Sequence, residues 1–173
     1  MIREIDALTD SRWPSFLRRN PVASVFHTRG WLEAVRMTHG YQLRALSISA
    51  PDGNIQSAAV FCRVSSRLTG RRLISVPYSA HCDPLVASAA DFQSLLLAFE
   101  EWAQQEGCKY VELRPASALP LIQSEWKRSQ EFYLHRLDLR AEADSVFRDS
   151  HRDCIERRTR HAEKAGGQYQ RRK

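Results

Sequence analysis

The polar side chain best placed for chemistry is Asp83, in the phrase His81-Cys82-Asp83-Pro84-Leu85. A carboxylate beside Tyr78 in a loop can grip a substrate. Its ordinary role is a turn aspartate before Pro84, pre-set for a chain reversal, and that role is the favoured one. His81 and Cys82 suggest a metal, but three consecutive residues cannot easily converge on one ion. Arg36, five residues after Trp31, and Arg114, at the end of Val111-Glu-Leu-Arg114, are two further basic candidates. Arg36 otherwise belongs to a solvated helix face, and Arg114 otherwise pairs with Glu112 or Asp138. His27, His39, His135, His151 and His161 show no pairing with a nucleophile, so neither a Ser-His-Asp nor a Cys-His arrangement can be argued.

The largest charge feature is the end of the chain. From His151 to Lys173 there are eight Lys/Arg and three Asp/Glu, so this stretch holds nearly all of the net charge of +6. At helical spacing Arg157, Arg160 and Lys164 share a face, and Glu156 pairs with Arg160 four residues on. Such a run is usually solvated. A nucleic-acid binder would interleave aromatic residues with these charges on one face. Here Trp31, Phe99 and Trp102 lie on apolar stripes instead, and the tail holds only Tyr169.

These residues need a scaffold, and the composition supplies one. With 173 residues, 43% hydrophobic and four tryptophans, the chain can build a real core and is not a disordered sequence. The N-terminus carries charges where a signal peptide needs an apolar run. Apolar stretches such as SAAVFC and SLLLAF are too short to span a bilayer. Cys62, Cys82, Cys108 and Cys154 contain no C-x-x-C pair. Free thiols in a reducing compartment follow, and a soluble cytoplasmic protein is expected.

The periodicity predicts an entry strand at REIDAL, a short helix around Ser11–Arg19, and a second helix through WLEAVRMTHG that Gly40 ends. From Tyr41 the period changes to that of strands. Asp52-Gly53 and Thr69-Gly70 mark reversals between three antiparallel runs, with Pro77 ending the third. DFQSLLLAFEEWAQQEG is the clearest helix, capped by Ser88 or Asp91 and ended by Gly107. CKYVELRP and EFYLHRLDLR read as strands, and Glu142 to about Ala165 as a helix. The sum is a mixed α/β (α+β) layer, helices on a largely antiparallel sheet.

Five phrases in order, FHTRGWLEAVRMTHG, LISVPYSAHCDPLV, KYVELRP, YLHRLDL and HRDCIERRTRHAEKAG, resemble the first half of the FemAB family. That family comprises non-ribosomal peptidyl (aminoacyl) transferases built from two GNAT-like acyltransferase domains in tandem. The last phrase is similar to the family's R-x-x-I-R-K-A-E-K-x-G helix at the exit of the first domain. The resemblance implies a first GNAT-like domain over residues 1–140. Residues 141–173 would then be a basic helical exit segment, the stub of a connection to a second domain.

The resemblance also implies roles for residues. Arg36 falls near a basic contact to substrate phosphate. Tyr78 and Asp83 fall in the substrate loop, facing a cell-wall precursor. Arg157 and Arg158 fall in a cluster that would hold the diphosphate of a nucleotide- or lipid-linked precursor. The family's donors are acyl-CoA or aminoacyl-tRNA, so tRNA is the one nucleic acid expected as a partner, and a second GNAT-like domain or a homodimer partner is the expected protein partner. A donor site needs a run of backbone N–H groups leading to a helix N-terminus, signalled in the family by Arg/Gln-x-x-Gly-x-Gly/Ala. The nearest match, Arg67-Leu-Thr-Gly70-Arg-Arg72, lacks the final small residue and opens a strand. It is read as a hairpin turn with exposed arginines, and this chain alone is expected to bind no donor cofactor and no metal.

The resulting expectation is the N-terminal domain of a FemAB-like N-acyl or aminoacyl transferase, linked to cell-envelope or exopolysaccharide biosynthesis. It is expected to be truncated, with weak activity or none on its own, which leaves open whether the chain is itself an enzyme. The alternative is a non-catalytic module that docks a second chain or an anionic cell-wall precursor.

Overall fold

A computed structural model describes residues 1–116, 126–136, 138, 140, 145 and 152–166. The chain divides into two compact units, Met1–Gln130 and Glu131–Lys173.

The first unit is a five-stranded sheet in the order β1-β2-β3-β4-β5, with helices on both faces. Strand β1 (Ile2–Ile5) is followed by helix α1 (Trp13–Arg19), a 3-10 turn (Val25–His27) and helix α2 (Arg29–His39). Strands β2 (Gln42–Ser49), β3 (Ile55–Ser66) and β4 (Gly70–Ile74) form an antiparallel meander. Its turns carry Gly53 and Gly70, both at φ +81, a left-handed backbone that glycine adopts without a Cβ penalty. Helix α3 (Ala89–Gln105) then crosses over to β5 (Val111–Glu112), which pairs parallel to β4.

Strand β3 explains why the run SAAVFC looks continuously apolar. Alternate residues face opposite sides, and both sides are covered. Ala58, Val60, Cys62 and Val64 meet Trp13, Phe16, Leu32 and Val35 from α1 and α2. Ala59 and Phe61 meet Leu95, Phe99 and Ala103 of α3, with Phe61 and Phe99 ring centroids 4.2 Å apart. Burying each of these large side chains contributes about 1.5–3 kcal/mol.

The element order through β5 is the expected one, with two local differences. Strand β4 ends at Ile74, before Pro77, because Val76 at φ 42 turns the chain out of the sheet. The fifth strand is a two-residue ladder extended by a bridge between Arg114 and Cys82.

In the second unit, the strand expected over 131–140 is corrected for residues 131–136, which form no strand. Phe132 and Tyr133 are 81% and 95% exposed. An extended segment becomes a strand only through a hydrogen-bonded neighbour, and among the described residues none pairs with it. Leu137 and Leu139 of that stretch lie outside the described residues. Helix α4 (Arg152–Lys164) forms within the expected basic helix and gives way at Gly166, φ 75. Most of residues 142–151 lie outside the described set. Among the described residues, no helix is long and apolar enough to cross a membrane.

Candidate functional site

Parallel neighbours in a sheet send their loops out at the same end, and ligands collect there. Here that end belongs to β4 and β5. Their ladder pairs Leu73 with Val111 and Ile74 with Glu112. The Ser75 N–H still reaches the Glu112 oxygen at 2.9 Å. One step further the strands part, and the Ser75 hydroxyl oxygen accepts the Arg114 N–H at 2.8 Å. The loop then returns, and the Cys82 N–H donates to the Arg114 oxygen at 2.7 Å. The chain's own loop therefore fills the fork.

That loop is strained. Val76 and Tyr78 hold φ values of 42 and 64, where non-glycine residues are disfavoured and β-branched ones more so. The conformation persists because Val76 is fully buried and the Ser79 hydroxyl donates back to the Val76 oxygen. Strain of this kind gathers where a side chain must be presented in a fixed direction. The side chain presented is Tyr78, 60% exposed.

Tyr78 stacks on His39, with centroids 4.1 Å apart and planes 17° from parallel. His39 also stacks on Tyr41 at 5.4 Å. The end of α2 positions both partners, because Gly40 at φ 65 closes the helix between them. The Tyr78 hydroxyl, and then burial, hold the Tyr41 phenol above its ordinary value. Beside Tyr41 lies a groove of about 380 Å³ lined by Asp6, Leu8, Arg36, Gly40 and Tyr41 to Arg44. Arg36 pairs with Glu33 and keeps an exposed side chain. Tyr41 is thus the common neighbour of Arg36 and Tyr78, and nothing in its sequence surroundings marks it.

Asp83 is buried. Its Oδ1 accepts the Ala116 N–H at 2.9 Å, and its Oδ2 meets His81 Nδ1 at 2.9 Å. Its main-chain oxygen accepts Nε2–H of the buried His27 at 2.9 Å. Because the Ser24 N–H donates to His27 Nδ1 at 3.1 Å, His27 is the neutral Nε2–H tautomer, and burial pushes its pKa down. Cys82 Sγ lies 3.5 Å from His27 Nε2. This is no nucleophile–base pair, since Nε2 already carries a hydrogen and burial pushes the thiol pKa up. The hydrogen bond between His81 and Asp83 crosses only two positions and was not recognisable in the sequence, because i to i+2 contacts follow from loop geometry.

The other candidates of the first unit make local contacts of their own. Arg67 to Arg72 form the β3–β4 hairpin, with Arg72 bonded to Thr69 at 2.9 Å. Arg114 pairs with Glu112 at 2.6 Å. At the N-terminus of α3, the Ser88 hydroxyl accepts the Asp91 N–H at 3.0 Å, and the Asp91 carboxylate accepts from Ser57 and Gln56. Arg157 and Arg158 are exposed on α4, in the second unit. Among the described residues, no three His, Cys, Asp or Glu side chains converge as metal ligands.

No protein-family model matches the sequence, and no curated protein matches it. Among solved structures, the chain is similar to FemX at 17% identity and TM-score 0.48, over 62% of this chain and 25% of FemX. It is similar to a ribosomal-protein-alanine N-acetyltransferase from Brucella melitensis biovar Abortus 2308 at 12% identity and TM-score 0.47, over 79% and 98% of the two chains. It is also similar to a Trypanosoma brucei acetyltransferase at 18% identity and TM-score 0.48, over 80% and 99%. The chain thus spans a quarter of FemX's length. At these identities no residue role passes from those proteins to this one.

Proposed function

We propose that this chain is a GNAT-like, FemAB-like unit that supplies the acceptor side of an N-acyl or aminoacyl transfer, with the donor side supplied by another domain or chain. The supporting observation is the N-terminus of α3, the helix that follows β4. A donor diphosphate would need that positive helix end to be open. Here the Ser88 hydroxyl already takes the Asp91 N–H, and the Asp91 carboxylate puts a negative charge in the first turn, so a second anion would be repelled.

In this reading Arg36 and Tyr78, gathered around Tyr41, face an anionic cell-wall precursor. Asp83 organises the loop from within. In the second unit the exposed Arg157 and Arg158 are, taken by themselves, a basic pair suited to a diphosphate. The process served is cell-envelope or exopolysaccharide assembly. The test is to supply the purified chain with acetyl-CoA and, separately, aminoacyl-tRNA, each with amine acceptors. No turnover is expected with either donor; robust transfer from either of them by the chain alone overturns the reading.

A second reading, a docking module for a partner chain, is favoured by the exposure of two consecutive aromatic residues, Phe132 and Tyr133. Adjacent exposed aromatics seek cover. Light scattering after size exclusion decides it. A defined dimer lost in a Phe132→Ser/Tyr133→Ser variant supports docking, and a monomer at all concentrations contradicts docking to a second copy.

A further inference from the structure

The geometry points to His81, oriented by Asp83, as the proton-accepting residue of this site. This rests on reading the loop as the acceptor side of an acyl transfer. Asp83 does not offer its own carboxylate to a substrate, because its side chain is 2% exposed and its oxygens face Ala116 and His81. What it offers is orientation. With Nδ1–H donated to the carboxylate, the neutral imidazole keeps its lone pair on Nε2. Among the described residues, Nε2 has no hydrogen-bond partner, and the His81 side chain is 15% exposed.

The ring is also held in place. Phe26 lies against it at 5.3 Å and 88°, and the Asp83 main chain is pinned by His27 at 2.9 Å. A buried carboxylate that fixes the tautomer of a reachable imidazole, and steadies the imidazolium that forms, is the arrangement general bases use. The neighbours cannot take that role. His27 spends its Nε2–H on Asp83, and Cys82 is buried with its thiol kept protonated.

In the step assigned to it, the nitrogen lone pair of an acceptor amine attacks an acyl carbonyl carbon. The C–N bond forms, and the bond to the leaving oxygen breaks with its electron pair. The proton lost by the nitrogen moves to Nε2 of His81. The Asp83 carboxylate faces the imidazolium, which then returns the proton to solvent or to the leaving group.

An activated aryl ester needs no diphosphate cradle, so the whole chain can be tested with p-nitrophenyl acetate and glycinamide. The wild type is expected to form acetylglycinamide faster than free imidazole at equal concentration. His81→Gln should lower kcat by about 100-fold with little change in KM, and His135→Gln should leave the rate unchanged. Asp83→Asn, which keeps a side-chain oxygen for the Ala116 N–H and changes the partner of His81, should lower kcat by a smaller factor at constant KM. Long-range proton–nitrogen NMR on the wild type should show His81 protonated at Nδ1, and Asp83→Asn should move that proton to Nε2. Wild-type turnover by folded His81→Gln, a wild type no faster than imidazole, or a wild-type His81 protonated at Nε2 would each overturn the proposal. Turnover of acetyl-CoA would instead contradict the acceptor-side reading and leave the His81 result standing.

Discussion

His27 and Asp83, 56 positions apart in sequence, are joined by a 2.9 Å hydrogen bond from Nε2 to the main-chain oxygen. The bond ties the turn before α2 to the strained loop after β4. The His27 oxygen in turn accepts the Trp13 indole N–H at 2.9 Å, so α1 joins the same tie. His27→Ala leaves the Asp83 oxygen and the Ser24 N–H without their partner and opens a cavity. A loss of about 3 kcal/mol is expected in urea unfolding.

The same residue sets an acid limit on stability. Burial holds His27 below its ordinary value, so the folded chain refuses a proton that the unfolded chain accepts once the pH falls below about 6.5. Stability should decline as the pH falls through that value toward the lower folded pKa. His27→Gln, less stable at neutral pH, should show a shallower decline. Urea midpoints between about pH 7.5 and about pH 5 check both statements.

Tyr78 carries a side chain at φ 64 and is steadied by its stack on His39. Removing the ring leaves only the backbone strain. Tyr78→Gly is therefore expected to be more stable than Tyr78→Ala by about 1 kcal/mol, because glycine accepts the left-handed backbone. Thermal unfolding of the two variants measures the difference.

Asp91 sits in the first turn of α3 and accepts from Ser57 and Gln56. Asp91→Ala removes a favourable charge from the helix N-terminus together with two hydrogen bonds to β3. A loss of about 1–2 kcal/mol should appear in chemical denaturation.

Most of the scaffold was legible in the sequence because local chemistry fixes it. Gly40, Gly53, Gly70 and Ser88 stand where turns and caps require them, and the α3 stripe of Phe92, Leu95, Phe99 and Ala103 faces the sheet as its spacing demands. Residues 131–136 have the alternation of a strand, yet a strand is a pairing, and no pattern within one segment guarantees a partner. Of the site, Arg36 and Tyr78 were named from phrase resemblance, and the structure makes Tyr41 a neighbour of each. The bonds that organise Asp83 were not legible. They depend on positive φ at Val76 and Tyr78, which neither residue type signals, and on contacts between segments far apart in sequence.

Isothermal titration of the purified chain with coenzyme A tests the central claim most directly. Ser88 caps the start of α3, and the Asp91 carboxylate in its first turn would repel a diphosphate, so no saturable heat is predicted. A stoichiometric isotherm, abolished by substitutions around the start of α3, would show a donor site in this chain and contradict the account.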